Sequence, residues 1–412
     1  MRILISAGEA SGEMYGAQLI NALRRHNPSP NLKLEFFGVG GDRMRAAGCE
    51  TVVDAKDLAV VGITEILSHL PKIYGLFWRL ISAADKRHPD LAIVIDAPAF
   101  NWRVARAMRK RGIPVVYYVC PQFWAWRQGR VRLLRDNVTK ALAIFPFEEQ
   151  FFRERGVDTT FVGHPLAGLP QPTIAREDFA AQNQLDASKS WVTLMPGSRR
   201  KEVAMNLPMI LESAAELYSG YEFLLPVAPT LDHRFLIERI TSGAKAQTVE
   251  ASNGTAEAVP YPIAINASIS GTVTNIHLVP DSLPALHHSR AAIVASGTAT
   301  VEAALMNTPF VMVYKVSPLT YWLGRASVKV PFFAMVNLIA GEKVVPELVQ
   351  DDFSATNVVR ELQEILPDGQ PRQQMLAGLA RVRSLMQGPD GAAPAPERAA
   401  EIIFSLMKSR VR

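Results

Sequence analysis

Four short apolar runs constrain the fold of this chain most, because each ends in a turn and leads into a helical pattern. They are Arg2–Ala7, Leu91–Ile95, Trp191–Met195 and Ala291–Ala295. A largely apolar run of this length is typical of a buried parallel strand, and the helical pattern after it indicates a β–α unit. Such units occur in both halves of the chain. The sequence therefore predicts an α/β protein with two Rossmann-like domains.

The length of 412 residues exceeds what one hydrophobic core usually serves, so two domains are expected. We place the first domain over residues 1–167 and the second over residues 168–366. Residues 367–412 are predicted to be helices that pack back on the first domain. A ligand is expected between the domains, with the turn after Trp191–Met195 as one wall of its site.

Composition and charge narrow the class of protein. Hydrophobic residues make up 48% and charged residues 20% of the chain, as in soluble globular proteins. The net charge of +5 and the pI of about 9.2 suit an anionic ligand or membrane surface and do not require nucleic acid. Two distant cysteines fit a reducing compartment. Because no apolar run is long enough for a signal peptide or a transmembrane helix, we expect a cytosolic protein.

The turn after Trp191–Met195 has the composition of an anion site. A proline and a glycine end the strand, and Ser198, Arg199 and a second arginine follow where a helix is predicted to start. Backbone N–H groups at a helix N-terminus bind anions, and arginine adds a forked, permanently charged donor that suits phosphate. The alternative is an ordinary turn before a solvated basic helix.

A second turn of this kind follows Ala291–Ala295. Ser296, Gly297 and Thr298 are small residues that enter a helix, and they predict another group of N–H donors for phosphate. Glu302 lies about one helical turn further on, where its carboxylate could accept two ribose hydroxyls. The alternative is Thr298 as a helix N-cap with Glu302 in solvent.

The first strand leads into a glycine-rich segment, Gly8–Gly16. Its glycine spacing is not that of a dinucleotide fingerprint, and its two glutamates would repel a pyrophosphate, so a sugar or hydroxyl ligand fits better. We expect a turn here, with helical spacing from Ala17 onward. The alternative is a tight turn with Ser11 as the N-cap of the helix.

The strand Leu91–Ile95 ends at Asp96. A carboxylate at the carboxyl end of a buried parallel strand lies where α/β sheets bind ligands, and partial burial would raise its pKa and suit it to accept a proton from a hydroxyl. The alternative is an aspartate that caps the next helix. His164, at the end of the first half, is expected to bond to backbone rather than to a ligand.

Two further segments stand out. Leu58–Arg79 combines many apolar and aromatic residues with a few cations, which indicates an interfacial membrane contact or an acyl-chain site. The alternative is a pair of core-packing helices broken at Pro71. Residues 243–277 are rich in small and polar residues and predict a mobile loop or an added β-hairpin, to which we assign no function.

Taken together, the motifs of the chain resemble those of the lipid-A-disaccharide synthases, a family of bacterial glycosyltransferases. The matching segments run in the expected order: SAGEASGE at 6–13, GVGG at 38–41, GITEIL at 62–67, DAPAFN at 96–101, PQFWAWRQGRV at 121–131, PFE at 146–148, GHPL at 163–166, MPGSRRKE at 195–202, ASGTATVE at 295–302 and NLIAGEKVVPELVQ at 337–350. The chain departs from the family pattern at Glu13, where an aspartate is usual, and in the length of 243–277.

The resemblance implies a GT-B fold with parallel sheets that face each other across a cleft, and a C-terminal helix that crosses back. It implies transfer of 2,3-diacylglucosamine from its UDP conjugate to the 6-hydroxyl of 2,3-diacylglucosamine 1-phosphate, with inversion to a β-1,6 linkage and release of UDP. No metal or other cofactor is implied, and no nucleic acid partner. The first domain would bind the acceptor and face the membrane, and the second would bind the UDP-sugar.

The predicted roles of individual residues fit this chemistry. Asp96 is our candidate for the base that takes the proton of the acceptor hydroxyl. The candidates for the nucleotide side are Ser198, Arg199, Ser296, Gly297, Thr298, Glu302 and Asn337. The candidates for the acceptor side are Glu9, Ser11 and Asn101.

The sequence also predicts a location at a membrane surface and leaves competing functions open. The segment Leu58–Trp78 is the best candidate for an apolar channel, and its cations suit the cytoplasmic face of an inner membrane. A homodimer is left open. Competing hypotheses are another GT-B enzyme, such as a UDP-GlcNAc epimerase or a lipid-linked sugar transferase, and a lipid or nucleotide binder without catalysis.

Overall fold

The computed structural model forms two compact units. The first comprises Met1–Gly168 with Leu385–Arg412, and the second comprises Leu169–Ser384. The structure describes residues 1–29, 31–58, 63–168, 170–217, 220–242, 245–251, 263–269, 272–318, 321–322, 330–388 and 393–411.

The first unit contains a seven-stranded sheet in the order β3-β2-β1-β4-β5-β6-β7, with every pair parallel. Its strands are β1 Arg2–Ala7, β2 Glu35–Gly40, β3 Cys49–Asp54, β4 Leu91–Ile95, β5 Val115–Tyr118, β6 Lys140–Ala143 and β7 Thr159–Phe161. The central strands are wholly buried, because helices cover both faces of the sheet. The predicted Rossmann-like first half is therefore confirmed.

The second unit contains an eight-stranded sheet in the order β10-β11-β12-β9-β8-β13-β14-β15. Its strands are β8 Ser190–Met195, β9 Tyr221–Pro226, β10 Lys245–Ala251, β11 Ile263–Ile269, β12 Thr272–Val279, β13 Ala291–Ala295, β14 Phe310–Tyr314 and β15 Glu347–Val349. Six strands are parallel, and β10 and β11 add an antiparallel edge. The added hairpin predicted within 243–277 is thus present, while residues 243–244, 252–262 and 270–271 of that segment lie outside the described residues.

Helices connect the strands. In chain order they are α1 Ala10–Arg25, α2 Asp42–Ala46, α3 Ile63–Arg87, α4 Pro98–Lys110, α5 Val131–Asn137, α6 Pro146–Arg153, α7 Arg176–Asn183, α8 Arg200–Glu216, α9 His233–Ser242, α10 Ser282–His288, α11 Thr298–Leu305, α12 Met335–Ala340, α13 Ala355–Ile365, α14 Gln370–Met386 and α15 Ala395–Val411. Short 3-10 helices span Ala55–Asp57, Gln128–Arg130, Pro165–Gly168 and Gln350–Asp352.

The two C-terminal helices that we grouped in residues 367–412 go to different units. Helix α14 lies mostly in the second unit, where Arg372 donates to the carbonyls of Arg290 and Ile365 at 2.8 Å each. Helix α15 packs on α1 in the first unit, where Glu397 pairs with Arg25 and with His26, the latter at 2.7 Å.

The glycine-rich segment after β1 is mostly helical, so the expected turn over Gly8–Gly16 is wrong in extent. Helix α1 begins at Ala10, and Glu9 is its N-cap. Gly16 has a packing role instead, because a Cβ there would lie 2.9 Å from the Met44 sulfur of α2. Because Gly16 has no side chain, α1 and α2 can pack closely at this point. The alternative of Ser11 as N-cap is also wrong.

Helix α3 runs through Pro71 without a break, so the alternative of two helices broken there is wrong. Of the segment Leu58–Trp78, residues 59–62 lie outside the described residues, and the side chains of residues 63–70 are not described either. Beyond Pro71, Tyr74 and Trp78 have exposed fractions of 64% and 49%. Within the described part of the chain, no helix is long and apolar enough to cross a bilayer.

Candidate functional site

In each sheet the crossover connections run in opposite directions on the two sides of one point, and the predicted residues follow the two strands that flank this point. In the first unit these strands are β1 and β4, and in the second they are β8 and β13. Parallel α/β sheets bind ligands beyond the carboxyl ends of the strands at this reversal. The fold therefore places a candidate site in each unit.

Asp96 occupies a strained turn directly after β4. Its φ is 46° and that of Ala97 is 44°, a left-handed conformation that costs non-glycine residues of the order of 1–3 kcal/mol each. The Asp96 carbonyl accepts hydrogen bonds from the Tyr117 hydroxyl at 2.8 Å and from the Asn101 amide at 2.9 Å. Helix α4 is capped by Ala97, so the alternative of Asp96 as N-cap is wrong. Surrounding hydrogen bonds thus fix the backbone that carries this carboxylate.

Asn101 is wholly buried and bonds to the ends of both strands. Its amide nitrogen donates to the carbonyls of Ser6 at 3.2 Å and Ile95 at 2.9 Å, besides that of Asp96, and its oxygen accepts from the Ser6 hydroxyl at 2.7 Å. These bonds join β1 to β4 beneath the site. Asn101, which we predicted to face the acceptor sugar, is therefore a buried residue that positions Asp96.

Glu9 and Asp96 lie close enough to the Tyr117 phenol to act on its ionisation. Burial is the largest cause that raises the pKa of Tyr117, and the charges of Asp96, Cys120 and Glu9 raise it further. Glu9 is exposed at the start of α1, and Ser11 is half-buried in the first turn of that helix. The first unit therefore brings two carboxylates and a hydroxyl to the same edge of the sheet.

Glu13, the residue that departs from the family pattern, has a structural partner. Its carboxylate accepts the backbone N–H of Arg43 at 2.7 Å, at the start of α2. A Cβ on Gly41 would lie 2.6 Å from this carboxylate, so a larger residue there would displace the Glu13 side chain. Glu13 therefore stabilises the N-terminus of α2.

The turn after β8 is organised by Glu202, which the sequence did not mark as functional. The Glu202 carboxylate accepts the backbone N–H groups of Ser198 at 3.1 Å and Arg199 at 3.3 Å, and the Arg199 guanidinium at 2.9 Å. Gly197 has φ of 125°, and a Cβ there would lie 2.7 Å from the Glu202 Cβ. The signal in the sequence was the capping-box spacing of Glu202. Glu202 thus already bonds the N–H groups that we predicted for phosphate.

A hydrogen bond to the segment that precedes α12 fixes the turn after β13. The Ser296 hydroxyl donates to the Phe333 carbonyl at 2.9 Å. Gly297, with φ of 138°, is the N-cap of α11, so the alternative of Thr298 as N-cap is wrong. Glu302 accepts the Ser282 hydroxyl at 2.9 Å; burial raises the pKa of Glu302, and this hydrogen bond opposes the rise.

Asn337 is wholly buried beside that turn. Its amide donates to the Val345 carbonyl at 3.0 Å and to the Glu347 carboxylate at 2.8 Å, and its oxygen accepts the N–H groups of Val344 and Val345. Glu347 in turn accepts the N–H of Phe333 at 2.9 Å, the residue to which Ser296 donates. Asn337 therefore holds Glu347 in place, and Glu347 in turn fixes Phe333, whose carbonyl accepts the Ser296 hydroxyl.

A buried carboxylate in the first unit was also missed. Glu148 is wholly buried and accepts the Trp124 indole N–H at 2.9 Å and the backbone N–H groups of Ile144 and Phe145 at 3.1 Å. Burial raises its pKa to about 7, although all three hydrogen bonds oppose the rise. It fixes Trp124, in the loop after β5.

His164 is buried and bonds to backbone, as predicted. Its Nδ1 accepts the backbone N–H of Leu166 at 3.2 Å, and the backbone N–H of His164 donates to the Met386 carbonyl at 2.8 Å. Burial lowers its pKa to about 3, so the ring is neutral near pH 7.

Comparison with known proteins gives a family match over most of the chain. The family model described as lipid-A-disaccharide synthetase matches residues 3–274 and 263–388. The curated lipid-A-disaccharide synthase of Koribacter versatilis is 49% identical over 410 residues, covering 100% of both chains. The enzymes of that name from Acidobacterium capsulatum and Solibacter usitatus are 46% and 43% identical, covering 99% and 100% of this chain and 97% and 98% of theirs.

Solved structures share the fold at low sequence identity. The UDP-GlcNAc 2-epimerase of Neisseria meningitidis has a TM-score of 0.57 at 11% identity, covering 99% of this chain and 100% of its own. The MurG protein of Acinetobacter baumannii has a TM-score of 0.55 at 12% identity, covering 98% and 99%. At such identity the likeness shows the fold alone, which is GT-B.

Proposed function

The chain belongs to the lipid-A-disaccharide synthase family, and we propose how its two sites divide the reaction of that family. It is a hexosyltransferase of lipid A biosynthesis. The reaction moves 2,3-diacylglucosamine from its UDP conjugate to the 6-hydroxyl of 2,3-diacylglucosamine 1-phosphate. The β-1,6 disaccharide forms as UDP leaves, so the α configuration of the donor is inverted.

The first unit supplies the base. As the acceptor 6-oxygen bonds to the anomeric carbon and the bond from that carbon to UDP breaks, Asp96 takes the hydroxyl proton. The observation that carries this assignment is the strained turn at Asp96, fixed by Tyr117 and Asn101, because strain is retained where geometry matters to function. Glu9 and Ser11 contact the acceptor sugar, and Asn101 contributes by positioning Asp96.

The second unit supplies the nucleotide site. Without a metal, the departing diphosphate needs positive charge and N–H donors. Arg199 supplies the charge with Ser198 beside it, and the N–H groups at Ser296, Gly297 and Thr298 add donors. A guanidinium has five N–H donors, so its bond to Glu202 leaves capacity for phosphate. Glu302 binds the ribose hydroxyls. Asn337 contributes by stabilising the segment around Phe333, which accepts the Ser296 hydroxyl.

The protein works in the cytoplasm, peripheral to the inner face of the inner membrane, because both substrates carry acyl chains. The exposed Tyr74 and Trp78 support this contact, since such side chains favour the boundary between water and lipid. Partners are the two lipid substrates and no nucleic acid. A homodimer stays a hypothesis.

The test is UDP release from both diacylated substrates in detergent micelles with EDTA. Wild type should turn over, and Asp96→Asn should lose about 10²–10⁴-fold in kcat while binding UDP as wild type does. Asp158→Asn, at an exposed aspartate before β7, is the matched control and should be fully active. If wild type releases no UDP, the function is wrong. If Asp96→Asn is nearly as active as wild type, Glu9 or Glu13 must take the proton.

A further inference from the structure

The charge of the first unit is concentrated in one segment. Residues 97–135 contain neither aspartate nor glutamate. The same 39 residues contain nine basic side chains: Arg103, Arg106, Arg109, Lys110, Arg111, Arg127, Arg130, Arg132 and Arg135. The net charge of the whole chain is only +5, so the rest of the chain is net acidic.

The structure brings eight of these cations to one surface. Helices α4 and α5 link consecutive parallel strands in the same direction, so they lie on the same face of the sheet, and they pack together. Their apolar residues, such as Val104 and Leu134, face inward and are buried. The basic face is the exposed set Arg103, Arg106, Arg109, Lys110, Arg127, Arg130, Arg132 and Arg135.

Few carboxylates offset this charge. Over the described residues, only Arg135 of the basic face has an ion pair, with its neighbour Asp136 at 3.1 Å. Arg111, which is not in the set, pairs with Asp85. Between α5 and Arg155, a pocket of about 340 Å³ is lined by Arg132 and Arg135, room enough for a phosphate group. A surface of this kind attracts an anionic partner.

Aromatic side chains lie among the cations. Trp126 has an exposed fraction of 46%, and the Arg127 guanidinium lies 4.5 Å from its ring centroid. The Arg103 guanidinium lies 4.7 Å from the ring of Trp102. Tryptophan prefers the headgroup level of a bilayer, and nearby arginines bind lipid phosphates.

We propose that the basic face binds the anionic phospholipid headgroups of a bilayer. The choice of a lipid over a nucleic acid rests on the proposed function, in which both substrates are lipids. Helix α3 contacts α4, where the rings of Phe77 and Phe100 lie 6.1 Å apart, so the exposed Tyr74 and Trp78 are on a neighbouring helix. The basic face supplies the electrostatic part of membrane binding and α3 the apolar part.

The experiment compares two triple variants with wild type. Arg106→Gln, Arg109→Gln and Arg132→Gln together remove charges from the basic face and leave Asp96 and the nucleotide site unchanged. The matched control removes three exposed charges elsewhere, by Lys33→Gln, Arg43→Gln and Lys408→Gln. Sedimentation measures partition onto phosphatidylcholine vesicles with and without about 30 mol% phosphatidylglycerol, at ionic strengths of about 0.1 and 1 M.

We expect each removed charge to weaken binding to anionic vesicles about fivefold, hence about 100-fold for the basic-face variant. The control should change little, and high salt should reduce wild type towards the variant. Equal partition of wild type and the basic-face variant would overturn the proposal. So would equal binding of wild type to vesicles without phosphatidylglycerol, or a preference for a single-stranded RNA oligomer.

Activity in micelles separates this proposal from the proposed function. All three proteins should release UDP from detergent-dispersed substrates at the wild-type rate, which also shows that they are folded. If wild type binds anionic vesicles through the basic face and yet releases no UDP, the proposed function fails and the lipid contact stands. If UDP release is normal and the variant partitions like wild type, the lipid contact alone fails.

Discussion

The turns that follow β4 and β8 occupy equivalent places in the two sheets but are built from different chemistry. At Asp96 and Ala97, non-glycine residues adopt left-handed φ, and neutral groups of the buried Tyr117 and Asn101 fix the backbone. The other turn uses Gly197 and is held by Glu202, whose side chain has an exposed fraction of 38%. Solvent screens these charged contacts.

This difference fits the two roles that we propose. A base must hold one geometry relative to a hydroxyl, which favours a rigid, buried network. A phosphate site must bind and release an anion, and Glu202 occupies the same N–H groups with a carboxylate of its own. The first turn is therefore expected to tolerate change poorly, and the second to respond mainly in affinity for UDP.

The largest expected effect is the loss of stability when the turn at Asp96 loses its buried hydrogen bonds. Asn101→Ala leaves the Ser6 hydroxyl and the carbonyls of Ile95 and Asp96 short of buried partners, so the free energy of unfolding should fall by about 3 kcal/mol or more. Urea unfolding followed by circular dichroism measures it.

A milder variant keeps this test informative if Asn101→Ala does not fold. Tyr117→Phe removes one hydrogen bond to the Asp96 carbonyl and should lower kcat with no change in the Kd for UDP. A weaker affinity for UDP with normal kcat would contradict the assignment of the first turn to the base.

The next largest expected effect is on the pH dependence of stability. It compares two glutamates in the same capping position, Glu148 of α6 and Glu202 of α8. The pKa of the buried Glu148 is raised from 4.5 to about 7, so its stabilising contribution is full below pH 4.5 and falls as pH rises to about 7. The loss is about 3 kcal/mol. Glu148→Gln removes this dependence, so its unfolding free energy relative to wild type should rise by that amount between pH 4.5 and 8.

Urea unfolding at several pH values measures this effect, and Glu202→Gln is the control, because the Glu202 side chain is partly exposed. Parallel pH curves for wild type and Glu148→Gln would show that the buried carboxylate stays ionised, with its three N–H donors outweighing burial.

The smallest expected effect concerns the second turn. Arg199→Ala should weaken UDP binding about 10- to 100-fold, the range for lost hydrogen bonds to a charged group. Arg199→Lys should recover part of the affinity, because lysine keeps the charge but not the forked donor. Calorimetry with UDP measures both. Unchanged affinity in Arg199→Ala would leave the diphosphate to the turn at Ser296.

The sequence predicted the fold well, and the carboxyl ends of β1, β4, β8 and β13 remain the predicted place of the sites. The strands Leu91–Ile95 and Ala291–Ala295 have the predicted bounds. Parallel strands and their turns are local features, and the carboxyl edge of a parallel sheet follows from them. No pattern in the sequence joined the cations of α4 to those of residues 127–135, because strand β5 lies between them along the chain.

What the sequence determined by itself was therefore which residue types follow which strand, since strand, turn and helix patterns depend on near neighbours along the chain. Tertiary structure alone decided what those residues contact. It made Asn101 a buried positioning residue, paired Glu302 with the Ser282 hydroxyl, and gathered the cations of α4 and α5. Hydrogen bonds across 20 to 95 residues, such as that from Ser6 to Asn101, depend on how strands and helices pack, and no local pattern records that.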